Sequence, residues 1–366
     1  MSVQISYKKQ TLFGIILLLC VFSIFETGSR FYEFFLQDCG IDEYDYFLTR
    51  YICYDQQSII YENKPVLTII PNQHLTTINI NNEGFRGAEI NVLKNNNDYR
   101  IIMIGGSTVF GAGMPNDNLT IPYQLNKKFE EKYNNVEVIN AGISSITSFE
   151  ELYHFKEKLI HLEPNLVIIY DGANDVHNKI TIDPEIPNTD KDNLKMKDFQ
   201  KYLRSPVVMY RHVVLPIMNS EAVNTLDITD VSTTDSSNHN SSQIPQLIAS
   251  LWFDHINEFC QISNEKQIKS IVIIQPSLDQ DKKSLSDYEY SIYKKNILDK
   301  KIFDMLIQKS EKLTSCSGVY DFTNIFENTD FSVYLDRVHL NESGNKIIAN
   351  NIYEKILPIV LEDISK

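Results

Sequence analysis

A chain of 366 residues is long for one compact domain but comfortable for an enzyme domain with extensions, and it can bury a sizeable core. Hydrophobic residues at 43% and charged residues at 22% exclude a disordered chain and a multi-span membrane protein. A formal net charge of -14, with no Lys/Arg cluster to neutralise a run of phosphates, argues against a nucleic-acid partner.

In chain order, Lys8-Lys9 come first and precede an apolar stretch from Leu12 to Phe25, interrupted only by Gly14, Cys20 and Ser23. This pattern predicts a membrane-targeting helix, with residues 1–30 as a cytoplasmic tip and signal anchor. At about 1.5 Å per helical residue the apolar stretch alone falls short of the roughly 30 Å hydrocarbon core, so the lysines must snorkel. A cleaved signal peptide, cut near Thr27 and Ser29, fits the same residues. Either way the remainder is expected outside the cytoplasm, periplasmic or at the cell surface. There Cys39 with Cys53, and Cys260 with Cys316, could pair, although buried free thiols fit equally well. No cysteine spacing matches a zinc pattern.

Residues 31–98 read as an extracytoplasmic extension. Phe31, Phe34 and Phe35 continue the helix, and an irregular region follows with a strand-like run from Val66 to Ile70. Lys94 to Asp98 is a polar linker signal. From residue 99 to 366 short apolar runs alternate with amphipathic segments, the signature of strand-helix-strand units around a parallel sheet. Strands are predicted at Arg100–Ile104, Val136–Asn140, Leu166–Tyr170, Ser270–Ile274 and Val319–Asp321. Helices are predicted at Thr120–Tyr133, Ser148–His161, Gln246–Glu265, Tyr290–Leu313 and Ser343–Val360. A doubly wound sheet carries its site at the carboxyl ends of its strands. A polar insertion at about 180–245, richest in Ser, Thr, Asn and Asp from Asn219 to Asn240, interrupts the pattern as a lid or as a plain loop.

The first strand runs into Gly105-Gly106-Ser107-Thr108, with Gly111 and Gly113 beyond. A phosphate loop fails because Ala112-Gly113 stand where Lys and Ser/Thr belong, and a nucleophile elbow fails at Val109. Ser107 at a strand end is placed for attack, or simply caps a helix. The second strand ends in Asn140-Ala141-Gly142 and the third in Gly172-Ala173-Asn174-Asp175. The N–H groups of Ser107 and Gly142 and the amide of Asn174 could therefore converge as an oxyanion hole. Near the C-terminus, Asp336-Arg337-Val338-His339 places a carboxylate three residues before a histidine. That carboxylate can fix the tautomer and leave Nε2 free as a base, although a surface salt bridge or a cap fits the isolated spacing at least as well. His177, two residues after Asp175, is expected to line the pocket.

Taken in order, these four segments resemble the sequence blocks of the SGNH (GDSL-like) hydrolase superfamily over about 240 residues. The first block there usually reads G-D-S, so Gly106 departs from it. The glycine variant is similar to exported, N-terminally anchored members, and Asn82-Glu83-Gly84-Phe85-Arg86-Gly87 resembles a segment those members carry upstream. The resemblance implies a flavodoxin-like three-layer α/β/α sandwich and a serine esterase needing no metal or cofactor. It implies Ser107 as nucleophile, Asp336 and His339 as the rest of the triad, and Ser107, Gly142 and Asn174 as oxyanion donors, with Asp175, His177 and Arg86 binding substrate. Export points to a glycan or small-molecule ester at the envelope, with O-acetyl groups of surface polysaccharide as the preferred guess. An O-acyltransferase, a lipid esterase or thioesterase, and a non-catalytic glycan-binding module are the alternatives.

Overall fold

The computed structural model describes residues 6–36, 39, 41, 44–63, 65–177, 205–209, 244–293 and 296–365. The polar stretch at 219–240 lies outside them, as does most of the expected insertion. The chain divides into two compact units. One contains helix α1 (Tyr7–Phe31), which runs on into a π-helical turn at Tyr32–Leu36. Within Tyr7–Leu36 the most apolar 18-residue window has a mean hydropathy of 2.1, and the helix is long and apolar enough to cross a membrane. At about 1.5 Å per residue the helix exceeds the hydrocarbon thickness, but the added turns carry Lys8, Lys9, Glu26, Arg30 and Glu33, so the lysines must still snorkel. Within this unit the N–H of Ser205, the first residue of α7 (Ser205–Met209), donates to Glu26 Oε2 at 2.9 Å.

The second unit begins with α2 (Tyr46–Ser58), where an irregular segment was expected. Asp45 starts it as N-cap, its carboxylate accepting from the N–H groups of Phe47 and Leu48. Two small antiparallel hairpins follow: β1 (Tyr61–Asn63) pairs with β2 (Leu67–Ile69), and β3 (Gln73–His74) pairs with β4 (Asn79–Ile80). Buried Ile59, Ile69, Ile78 and Ile80 from this region share a cluster with Phe110, Ile143 and Ile146. This part of the extension thus packs beneath the serine's turn.

The main sheet is built from β5 (Tyr99–Gly105), β6 (Val136–Gly142), β7 (Leu166–Asp171), β8 (Lys269–Ile274) and β9 (Gly318–Asp321), ordered β6-β5-β7-β8-β9. All four pairings are parallel. Continuous apolar runs form these strands because both faces are covered. On one face Ile102, Ile104, Val167 and Ile169 meet α5 (Ser148–Glu157), α8 (Ile244–Glu265) and α10 (Ile297–Ser310). On the other, Ile101, Met103, Leu166 and Ile168 meet α4 (Ile121–Glu130) and α11 (Glu342–Ile364). This is the expected three-layer sandwich. The winding direction reverses between β5 and β7, and ligands of such sheets bind outside the strand ends at that reversal.

The expected single helix at Tyr290–Leu313 is two, α9 (Asp287–Ile292) and α10. Ser286 caps the first with a reciprocal Glu289 bond and Asn296 caps the second, so the chain restarts rather than continuing. A disulfide joins Cys260 on α8 to Cys316 ahead of β9. Cys39 and Cys53 are disulfide-bonded as well.

Candidate active site

Ser107 opens the short helix α3 (Ser107–Phe110) directly after β5, and α6 (Ala173–His177) opens directly after β7, so both sit at the reversal of the sheet. His339 comes from a tight loop before α11, closed by the bridge between Tyr334 and Leu340 and by the Leu335 N–H donating to the His339 carbonyl at 2.8 Å. The ring lies between the other two groups. His339 Nε2 is 2.7 Å from Ser107 Oγ, and His339 Nδ1 is 2.6 Å from Asp336 Oδ2. The other oxygen of Asp336 accepts from the N–H groups of Val338 and His339, both at 2.8 Å. Burial alone would raise the Asp336 carboxyl. The adjacent His339 and these hydrogen bonds outweigh it and hold the carboxyl down at about 2. A carboxylate fixed in this way keeps the imidazole in the tautomer whose Nε2 can accept a proton.

The segment after β8 braces the base loop. The Arg337 carbonyl accepts from the Leu278 N–H at 2.8 Å and the Ser277 hydroxyl at 3.2 Å, and Tyr288 donates to the Leu335 carbonyl at 2.5 Å. Glu289 accepts from the N–H groups of Val333 and Tyr334 and is neutralised by Lys283, with both side chains fully buried. The Arg337 guanidinium binds Asp279, and reaches Asp299 Oδ2 on α10 at 3.0 Å. None of these braces could be read from the sequence, because nothing in residues 277–289 marks them as partners of a loop fifty residues on.

The opposite wall is built around Asn174. Its Nδ2 donates to the Ile146 carbonyl at 2.7 Å, leaving a second amide hydrogen. The Ser107 N–H, in the first helical turn, belongs to the groups a helix cannot satisfy internally. The Gly142 N–H, expected as a third donor, is engaged by Asn140 Oδ1 at 3.0 Å, and an added Cβ there would meet the backbone of Phe110. Gly142 therefore serves the close packing of β6 against α3. Thr108 donates to Gln275 Oε1 at 3.0 Å, tying α3 to the end of β8.

Three residues expected to bind substrate are engaged elsewhere. Arg86 is buried: it pairs with Asp117 at 2.8 Å and donates to the carbonyls of Phe110, Gly111 and Thr77. It therefore props the C-terminal end of α3 from below. Asp175 accepts from the Ser148 N–H at 3.0 Å and the Ser148 hydroxyl at 2.5 Å, which pins the start of α5 to α6. The capping box Thr147-Ser148-Phe149-Glu150 marks that helix start in the sequence, though not its partner. Behind Asp175, Asp171 accepts from Trp252 Nε1 at 3.0 Å, and Glu151 is fully buried. Burial pushes Asp175 up to about 6 against the Ser148 bonds, and burial with the neighbouring Asp175 pushes Asp171 well above the usual carboxylate range.

His177 is 3.5 Å from Asp299 Oδ2. With Asp279 and Asp299 it brings candidate metal-ligand atoms within 4.8 Å of one another. The Arg337 guanidinium already lies on both aspartates and supplies the positive charge that a cation would bring.

Residues 101–352 match the GDSL-like Lipase/Acylhydrolase family. No curated protein matches. Among solved structures, the acetyl xylan esterase AlAXEase aligns with a TM-score of 0.43 at 14% identity, over 70% of this chain and 99% of its own. A catalytic mutant of Axe2, an acetylxylan esterase from Geobacillus stearothermophilus, aligns with 0.40 at 15%, over 72% and 96%. A lipolytic protein of the G-D-S-L family from Desulfitobacterium hafniense DCB-2 aligns with 0.41 at 13%, over 70% and 99%.

Proposed function

Because the chain belongs to the GDSL-like lipase/acylhydrolase family and is a serine ester hydrolase, we propose that Ser107 is its nucleophile, His339 its general base and Asp336 the group that orients the base. The observation that carries the assignment is the unbroken chain from Asp336 Oδ2 through the His339 ring to Ser107 Oγ, with both links under 3 Å. In the first step His339 Nε2 takes the hydroxyl proton as Ser107 Oγ bonds to the ester carbonyl carbon. The carbonyl oxygen becomes an oxyanion facing the Ser107 N–H and the second hydrogen of Asn174 Nδ2. Collapse expels the alcohol, which leaves with the proton from His339. Water then gives a proton to His339 as its oxygen bonds to the acyl carbon, and collapse breaks the bond to Ser107 Oγ, which takes that proton back from His339 as the acid leaves.

The substrate we favour is an O-acetyl group on envelope or surface polysaccharide. Support comes from the N-terminal helix, whose apolar stretch is preceded by Lys8-Lys9, and from the Cys260–Cys316 disulfide, which suits an oxidising compartment. The helix is read as a single-pass anchor with the catalytic unit outside. Protease added to intact spheroplasts should digest the catalytic unit, and full protection would reject this orientation.

For the chemistry, the full chain in detergent should hydrolyse a chromogenic acetyl ester, and Ser107→Ala should abolish turnover. Turnover unchanged in Ser107→Ala would remove Ser107 as nucleophile. Adding a sugar acceptor to the same assay separates release of free acid from transfer of the acyl group.

A further inference from the structure

Gly106 has φ -78° and ψ -149°, so a left-handed backbone is not what explains the residue. Space does. A Cβ added at Gly106 would fall closer than 3.0 Å to Asn174 Nδ2 and 3.3 Å from Asn174 Cγ, while the next atom, the Ile146 carbonyl oxygen, is 3.8 Å away. The flanking glycines differ in kind. A Cβ at Gly105 would meet the Tyr170 carbonyl oxygen, and one at Gly142 the backbone of Phe110, so those two are required by main-chain packing. At Gly106 the obstacle is the amide of a single side chain.

That amide has little freedom to withdraw. Its Nδ2 is held by the Ile146 carbonyl, and the loop carrying Ile146 is held in turn by Ser148 on Asp175, the residue next to Asn174. The loop and α6 are therefore tied at two adjacent points, and Asn174 is trapped between Ile146 and the backbone of Gly106. We infer that Gly106 is a positioning residue for the oxyanion arm: its missing side chain lets the Asn174 amide lie against the backbone that presents Ser107. This rests on the roles of Ser107 and Asn174 proposed above. An oxyanion donor acts at about 2.7–3.1 Å, so an amide displaced by a methyl group loses the transition state while the ground-state ester still binds.

The test is a double-mutant cycle in the full-length enzyme on a chromogenic acetyl ester. Gly106→Ala should lower kcat on the order of 10- to 100-fold, with KM within about threefold and the melting temperature nearly unchanged, approaching the loss typical of one oxyanion donor. Asn174→Ala should lower kcat at least as far. Because Asn174→Ala removes the only obstructing atoms, adding Gly106→Ala to it should lower kcat by less than about threefold more. Multiplicative losses in the double variant would overturn the inference, as would a Gly106→Ala enzyme of full activity. So would failure of the double variant to fold, since no main-chain atom obstructs the Cβ. Ser107→Ala, dead in the same assay, keeps the functional reading standing if the cycle fails. A Ser107→Ala enzyme that still turns over ester removes both.

Discussion

Two aspartates stand at the site and are driven in opposite directions. Asp336 is half-exposed and held at about 2, whereas Asp175 is pushed up to about 6. Asp336 accepts from two backbone N–H groups, and Asp175 accepts from the N–H and the hydroxyl of Ser148. The difference lies in the rest of their surroundings: Asp336 faces an imidazole that can become a cation, while Asp175 lies in the interior with two more acids behind it. The proposed base arm is thus organised around a charge, and the proposed oxyanion arm is backed by carboxyls whose protonated form burial favours.

Replacing Asp336 by Asn attacks the first half of the comparison and should have the larger effect. Asn is nearly isosteric and can still accept from the N–H groups of Val338 and His339, but its amide can turn a donor toward Nδ1 and favour the wrong tautomer. A fall in kcat on the order of 10⁴ is expected, by analogy with other serine triads, with KM little changed. Steady-state kinetics decide it, and a loss below tenfold would mean that Asp336 is only a structural cap. The stability consequence has a definite sign. A carboxyl held below its unfolded value stabilises the fold above about 3.8, and the contribution fades as pH falls toward about 2. Thermal melts of Asp336→Asn should therefore lack part of the wild-type loss in that acid window.

The same contrast explains what was legible in the sequence. The base arm is local: Asp336 and His339 are three residues apart, so their spacing states their contact. The serine was legible for a similar reason, since an apolar strand ending in Gly105-Gly106-Ser107 announces a strand-end turn. The oxyanion arm is assembled from loops after β5, β6 and β7, and its contacts depend on the sheet register that brings Gly105 opposite both Gly142 and Tyr170. Donor-bearing residues could be named there, yet not which hydrogens were already committed. The Gly142 N–H is engaged by its own neighbour Asn140, and Asp175 is engaged by Ser148. Arg86 was assigned to substrate only through the resemblance of its segment, and the packed structure puts three carbonyls and Asp117 around it instead. The hidden helix α2 carries Thr, Tyr and a cysteine in place of a clean apolar stripe, so its period was masked.

Replacing Asp175 by Asn probes the other half, with a smaller effect and an opposite sign. A carboxyl whose folded value is raised takes up a proton on folding. Its penalty is absent below about 3.8, grows as pH rises and is complete above about 6. Wild-type stability should therefore decline between pH 4 and pH 6.5, the window in which Asp336 is already fully ionised. Asn at position 175 keeps an acceptor for Ser148 without any charge to bury, so the decline should shrink by several degrees in melting temperature. The residual slope belongs to Asp171, which titrates with Asp175 as a pair, and to Glu151, which burial and the same two aspartates also push well above the usual carboxylate range. Parallel melting curves for wild type and Asp175→Asn across that window would show that burial does not govern Asp175. The two aspartates would then differ only in their partners, and the oxyanion arm would be as charged as the base arm.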